Sequence, residues 1–172
     1  MTSETESLPA VSGLDNITDY VRANGLPSLV AGLGGSLAIW LLAQLAQTLE
    51  QALLIAPFGA SCVLLFALPQ SPLAQPKNVI GGHLLSASVG LLVLTLVGHG
   101  PFACGLGVGM AIAVMRFTGT LHPPAGADPL VVIMAGVGWT FLGFPILAGT
   151  IALVLLALLY HRLVSRRAYP AG

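Results

Sequence analysis

The stretch that decides the fold is His122-Pro-Pro-Ala-Gly-Ala-Asp-Pro129, which interrupts an otherwise apolar run of the chain. Proline removes a backbone N–H and clashes with the preceding helical turn, so this stretch predicts that one helix ends before it and another begins within it. A shorter break of the same kind, Pro57-Phe-Gly-Ala60, lies in an earlier apolar run and matches Pro124-Ala-Gly-Ala127 at three of four positions. The two breaks therefore predict two helices that begin inside apolar segments.

The composition around these breaks is typical of a membrane protein. Only 7% of the 172 residues are charged and 56% are hydrophobic, whereas soluble domains carry roughly 25% charged residues. So few polar groups cannot cover a soluble surface, and a formal net charge of zero gives no field that attracts a polyanion. The composition excludes a soluble globule, a disordered chain and a nucleic-acid binder, and it indicates an integral protein in contact with the lipid bilayer.

Six apolar runs can be cut from the sequence, and a helix needs roughly 17–25 residues to cross a bilayer. They cover approximately residues 28–48, 51–69, 79–97, 101–116, 123–141 and 144–161. The second and fifth runs contain the breaks, so they are either broken spans or re-entrant hairpins. If all six cross, every Lys and Arg falls on the cytoplasmic side, whereas re-entrant hairpins would move Lys77 and Arg116 outside. The positive-inside rule therefore favours six spans with both termini in the cytoplasm.

The predicted fold class is an all-α polytopic membrane protein, a 3+3 inverted repeat broken near Pro57 and Pro123. Its predicted parts are a polar N-terminal tail over residues 1–26, a transmembrane domain over residues 27–163 and a basic C-terminal tail over residues 164–172. Three spans per copy make the second copy enter from the opposite side, as in many transporters. The beginnings of the two broken helices then face each other, and their unpaired N–H groups predict an anion site without a basic side chain. The alternative is a pair of proline-kinked packing helices.

Three separated motifs, in the same order, resemble those of the HPP family of integral membrane proteins. They are Ala56-Pro-Phe-Gly-Ala-Ser61, Ser71-Pro-Leu-Ala-Gln-Pro-Lys-Asn-Val-Ile-Gly-Gly-His83 and Thr118-Gly-Thr-Leu-His-Pro-Pro-Ala-Gly-Ala127. The resemblance covers about residues 25–163 and implies a small multi-pass protein of the bacterial inner (plasma) membrane. Members from cyanobacteria and chloroplasts are associated with nitrite transport, so the resemblance implies nitrite as the transported anion.

The candidate site residues cluster at the breaks. Asp128 is a candidate for proton coupling, because an acid inside an apolar run is costly and usually functional; alternatively it caps a helix or pairs with Arg116 or His122. His122 either donates to an anion, carries a proton or caps the helix. His83 either lines the cavity or hydrogen-bonds across helices. The substrate-binding candidates are Pro57, Gly59, Ala60, Ser61, His83, Thr118, Thr120, His122, Gly126 and Ala127. Lys77, Asn78 and Arg116 are predicted to form a cytoplasmic mouth of the anion pathway. The alternative is that they only determine the topology.

The predicted function is membrane transport of a small inorganic anion. The histidines lack metal-ligand spacing, and neither a Ser–His–Asp nor an HExxH pattern is visible, so we predict no metal, no cofactor and no catalytic residue. The alternatives are an anion channel of other selectivity, a non-transporting membrane enzyme or redox subunit, and a scaffold or sensor. Because six short spans enclose little volume, we expect a homo-oligomer, and we expect no nucleic-acid partner.

Overall fold

A computed structural model describes residues 14–171, and all regular structure in that range is helical. The six α-helices are α1 Leu14–Leu49, α2 Ala56–Cys62, α3 Pro76–Val97, α4 Pro101–Thr118, α5 Asp128–Ala135 and α6 Ala148–Tyr160. Tighter or wider helical turns adjoin them at Val63–Ala67, Pro72–Ala74, Pro123–Ala127, Trp139–Leu142, Gly143–Leu147 and His161–Ser165. This confirms the all-helical class.

The first helix begins before the first apolar run. Residues 14–26, which the sequence assigns to a polar tail, belong to α1, and the helix continues through Pro27. The remaining residues of that predicted tail, 1–13, lie outside the described part of the chain. The helix therefore extends beyond its apolar segment by roughly three turns.

Four helical segments are long and apolar enough to cross a membrane: Ile17–Leu49, Pro76–Val97, Pro101–Thr118 and Trp139–Ser165. The apolar helix Ala56–Ala67 is shorter. At 1.5 Å per residue its 12 residues extend about 18 Å, against a hydrocarbon core of about 30 Å. The two broken runs thus supply half-length helices, while the long helices account for an integral membrane protein.

Both half-length helices begin where the sequence predicts a break. Pro57 lies in the first turn of α2, and the turn that leads into α5 begins with Pro123 and Pro124. Proline is favoured in a first turn because its missing N–H would have no helical partner there. The beginnings of the two segments contact each other across the middle of the protein.

Helix α3 is the centre of the bundle, in contact with α4, α5 and α6 and with the helical turn Pro123–Ala127 at the second break. Glycines permit the closest approaches. A Cβ atom at Gly90 would lie 2.8 Å from Cα of Pro129, and one at Gly82 would lie 2.8 Å from Cβ of His122. Gly34 of α1 and Gly107 of α4 lie equally close to neighbouring side chains. No atom lies within 4 Å of a Cβ at Gly32, Gly105 or Gly109.

The C-terminal segment folds back onto the loop that precedes α3. The Tyr169 hydroxyl donates to the Ala74 carbonyl at 2.8 Å, and the Ala171 N–H donates to Oε1 of Gln75 at 2.9 Å. The side-chain amide of Gln70 donates to the Ala168 carbonyl. Burial raises the pKa of the Tyr169 phenol, so its hydroxyl stays protonated as a donor. The predicted basic tail is therefore attached to the body of the protein as far as residue 171.

The loops divide into two groups that contact one another within each group. At one end, Nδ1 of His99 lies 2.7 Å from the Ile133 carbonyl and the same ring approaches Gly136. At the other end, the loop over residues 70–78 meets residues 121–122 and residues 168–171. These contacts sort the connections into two opposite faces of the bundle.

Candidate functional site

Four fully buried polar side chains form one hydrogen-bonded chain between the two breaks: Ser61, His83, His122 and Asp128. We call this chain the relay. Oγ of Ser61 lies 2.9 Å from Nε2 of His83 and 2.9 Å from Nε2 of His122. Nδ1 of His83 lies 2.7 Å from Oδ2 of Asp128, and Nδ1 of His122 lies 2.7 Å from the Leu73 carbonyl.

Each member of the relay comes from a different part of the fold. Ser61 lies on α2 and His83 on α3, while His122 directly precedes the turn Pro123–Ala127 and Asp128 begins α5. The close approach of α3 to His122 at Gly82 brings the two imidazoles to a centroid distance of 5.1 Å. The relay therefore exists only when both breaks pack against α3.

Neighbouring groups hold the relay in place. Oγ of Ser86 donates to the Ala125 carbonyl at 2.6 Å, which ties α3 to the second break. The side-chain amide of Asn78 donates to the Leu121 carbonyl at 2.9 Å, next to His122. The edge of the Phe58 ring meets the ring of His83 at a centroid distance of 5.2 Å. These contacts fix the second break and the orientation of His83.

The direction of the hydrogen bonds follows from the Leu73 carbonyl, which can only accept. His122 must donate from Nδ1, so the neutral ring has a bare Nε2 that accepts from the hydroxyl of Ser61. The Ser61 oxygen then accepts from Nε2–H of His83. Nδ1 of His83 accepts a hydrogen bond if Asp128 is protonated. If the His83 ring carries both hydrogens, Nδ1 instead donates to the Asp128 carboxylate. In both forms the relay as a whole is neutral.

One polar atom of the relay has no partner. Oδ1 of Asp128 is buried and has no hydrogen-bond partner in the described part of the chain. A buried polar oxygen without a partner is unfavourable by about 1–3 kcal/mol, so such atoms are uncommon outside functional sites. Asp128 is therefore the end of the relay that carries an unpaired polar atom.

An apolar groove of about 900 Å³ lies beside the relay, between the two breaks. It is lined by Ala, Pro, Val, Leu and Met side chains of residues 56–64 and 123–135, which include Pro57, Ala60 and Ala127 of the predicted binding set. Backbone donors are scarce here because prolines occupy the first turns, and the N–H groups of Phe58 and Ala125 already donate to the carbonyls of Ile55 and His122. The groove is therefore apolar, and Ser61 and Asp128 of the relay directly follow its lining residues Ala60 and Ala127 in the chain.

The remaining predicted residues lie away from the relay. Gly59 faces the neighbouring groove beside α1, and Gly126 is half-buried in the second break. Thr118 and Thr120 share a hydrogen bond of 2.8 Å at the end of α4. Of the predicted mouth, Lys77 and Arg116 are exposed, whereas Asn78 is engaged with Leu121.

The partner of Asp128 differs from the two that the sequence suggested. Asp128 pairs with His83, not with Arg116 or with His122. The bond of His83 to Asp128 and its contact with Ser61 both cross between helices, which was one of the two alternatives for this histidine. Ser86 and the Leu73 carbonyl were not among the predicted site residues. No Ser–His–Asp pattern is visible in the sequence because those residues lie 22 and 45 positions apart.

Comparison with known proteins identifies the family. The model of the HPP transmembrane region matches residues 21–170. The chain belongs to the HPP family. This HPP chain is also 42% identical over 130 residues to one transmembrane protein of Dictyostelium discoideum, and 38% identical over 129 residues to another. Each match covers 70% of the chain but only 45% and 42% of the respective relative, so the HPP chain spans less than half the length of either. No solved structure matches it.

Proposed function

We propose that this HPP protein transports a small inorganic anion across the membrane, with nitrite as the first substrate to test. The observation that carries the proposal is the fully buried relay of ionisable side chains between two broken helices. Ionisable groups inside apolar segments are costly to insert, and they mark ion or substrate pathways in membrane proteins. The resemblance of the motifs to those of nitrite-associated relatives supplies the choice of anion.

The proposed anion site lies between the opposed beginnings of α2 and α5. A helix beginning carries roughly half a positive charge, which favours an anion without a basic side chain. Since the backbone N–H groups at the breaks are few, we assign Ser61 and His122 to the substrate. Their hydrogen bond to each other opens when the anion binds, so that the Ser61 hydroxyl and a protonated Nε2 of His122 donate to the anion. The relay is enclosed in this conformation, so entry of the anion requires the two breaks to separate along the groove.

We further propose six crossings in a 3+3 inverted repeat with both termini in the cytoplasm of a bacterial cell. The two groups of loop contacts support six crossings. If the broken runs were re-entrant, His99 and Gly136 would lie on opposite sides of the membrane, as would Ala74 and Tyr169, yet each pair is in contact. A broken run can cross the bilayer if a segment of extended chain spans the part that its half-length helix does not reach. Such extended chain is tolerated within a membrane where protein covers it.

Labelling of single cysteines tests this topology. In a background with Cys62→Ala and Cys104→Ala, we expect Gly138→Cys and His99→Cys to react with a membrane-impermeant maleimide in intact cells. Lys77→Cys and Arg167→Cys should react only after lysis. The re-entrant arrangement predicts the opposite for His99→Cys and Lys77→Cys, so labelling of Lys77→Cys in intact cells would exclude six crossings.

A serine hydrolase is the second candidate, because Ser61, His83 and Asp128 lie at the distances of a catalytic triad. Two observations argue against it. With His122 donating to the Leu73 carbonyl, His83 donates to Ser61 and thus cannot take its proton, and Ser61 is completely buried. We therefore propose a transporter and not an enzyme. Because six short spans enclose little volume, the proposal includes a homo-oligomer, which cross-linking in membranes would detect.

A flux assay in proteoliposomes tests the proposed function. We expect protein-dependent entry of nitrite that exceeds entry of nitrate, formate and chloride. Protein-free liposomes supply the background, since uncharged nitrous acid crosses bilayers unaided. If a folded preparation, checked by size-exclusion chromatography, moves none of the four anions, the proposal is wrong.

A further inference from the structure

We propose that the relay is a proton-transfer device in which Ser61 passes a proton between His83 and His122, and that this transfer couples anion transport to protons. The coupling rests on the proposed function. The proton transfer itself rests only on the geometry of the relay, so the two parts can fail separately.

The number of hydrogens available matches the number of contacts. Four short contacts link Asp128, His83, Ser61, His122 and the Leu73 carbonyl, at 2.7, 2.9, 2.9 and 2.7 Å. Each contact needs one hydrogen, and the neutral relay holds four. If the relay loses one proton, two lone pairs must face each other in one contact inside an enclosed site, which is strongly unfavourable.

A concerted transfer keeps all four contacts. The proton of Asp128 moves to Nδ1 of His83 while Nε2–H of His83 moves to Oγ of Ser61. The Ser61 hydrogen moves to Nε2 of His122. The His83 ring and the Ser61 oxygen each give up one hydrogen and gain another, while Asp128 loses one and His122 gains one. The result is a carboxylate at Asp128 and an imidazolium at His122. One proton has in effect moved from Asp128 to His122, at the Leu73 end of the relay, and no ring has rotated.

The relay can also accept an extra proton without a clash. Oγ of Ser61 has a third neighbour, the Pro57 carbonyl at 3.3 Å. When His122 is protonated from outside, its Nε2–H donates to Ser61, and the Ser61 hydroxyl turns to Pro57. A hydroxyl with one hydrogen and two lone pairs satisfies all three neighbours in that state.

No other ionisable side chain disturbs this exchange among the described residues that pack around it. The loop before α3 contributes a carbonyl, α6 contributes Gly149 next to Phe58, and the buried face of α4 consists of Ala103, Gly107, Ala111 and Met115. Lys77 and Arg116 are exposed beyond the end of the relay. The titrating groups that face one another are therefore His83, His122 and Asp128 alone.

The two ends of the relay differ in their hydrogen-bond partners. Oδ1 of Asp128 is the unpartnered atom at the second break. The other end is the Leu73 carbonyl, in the loop that the C-terminal segment covers through Tyr169 and Ala74. Release of a proton from Nδ1 of His122 breaks the contact with Leu73, so deprotonation loosens that loop.

The first experiment measures proton movement with nitrite. Proteoliposomes carry an entrapped pH dye, potassium and valinomycin hold the membrane potential at zero, and the protein-free rate is subtracted. We expect wild type to bring in about one proton per nitrite. In Asp128→Asn the amide still donates to His83 but has no transferable proton, so this ratio should fall to near zero. Ser88→Ala, whose hydroxyl only bonds Leu84 of its own helix, is the control and should keep the wild-type ratio. A wild-type ratio in Asp128→Asn would overturn the proposal.

The second experiment does not require transport. Imidazole ¹⁵N spectra of histidine-labelled protein should show His122 with its hydrogen on Nδ1, and His83 and His122 should titrate in one coupled transition. In Ser61→Ala the two rings lose their bridge and should titrate independently. Independent titration in wild type would overturn the relay. Coupled titration without nitrite flux would leave the relay standing and refute the proposed function.

Discussion

Replacement of His122 by alanine is expected to reduce nitrite uptake by about a hundredfold, at the lower end of the contribution of a positioned proton-transfer group. The substitution removes the acceptor of the Ser61 hydroxyl and the donor to the Leu73 carbonyl at once. The transferred proton then has no group to reach beyond Ser61. Initial rates of nitrite entry into proteoliposomes, normalised to folded protein, measure the effect.

The matched control for this variant is His99→Ala. His99 is an exposed histidine at the opposite face, and its ring contacts the chain near Ile133 and Gly136. We expect its uptake to stay within about twofold of wild type, as for a surface substitution away from a site. Uptake by His122→Ala at the level of His99→Ala would show that the relay is not on the transport path.

Replacement of Phe58 by alanine is expected to destabilise the protein by about 3–5 kcal/mol, which is typical for loss of a buried aromatic ring. Phe58 is completely buried, packs against Gly149 and supports the ring of His83. Its removal leaves a cavity beside the relay, so thermal unfolding in detergent should shift down by roughly 10 °C.

Phe117→Ala is the control for that substitution, because Phe117 is 93% exposed. It removes the same atoms without opening a cavity, and we expect a shift of at most about 2 °C. Phe58→Leu, which retains most of the volume, should lie between the two. Equal shifts for Phe58→Ala and Phe117→Ala would show that the packing around the first break is not tight.

Much of the fold could be predicted because the bilayer imposes few solutions. Scarce charge and apolar runs require helices whose backbone groups are satisfied internally. Prolines at residues 57, 123 and 124 predict the helix beginnings, since proline has no N–H to contribute. The start of α1 at Leu14 could not be read in this way, because its first turns lie outside the apolar run and carry no hydropathy signal.

The candidate site, like the fold, could be predicted only in part from the sequence. The sequence by itself determined that Asp128, His122 and His83 were unusual, because polar groups in apolar segments are costly wherever they end up. It also determined that both breaks start helices. Which side chains meet was decided only by the tertiary structure. Glycines at positions 82 and 90 let α3 approach the second break, and that approach joins His83 to Asp128 and, through Ser61, to His122. Such partners lie tens of residues apart, and no local spacing records a distance that is set by packing.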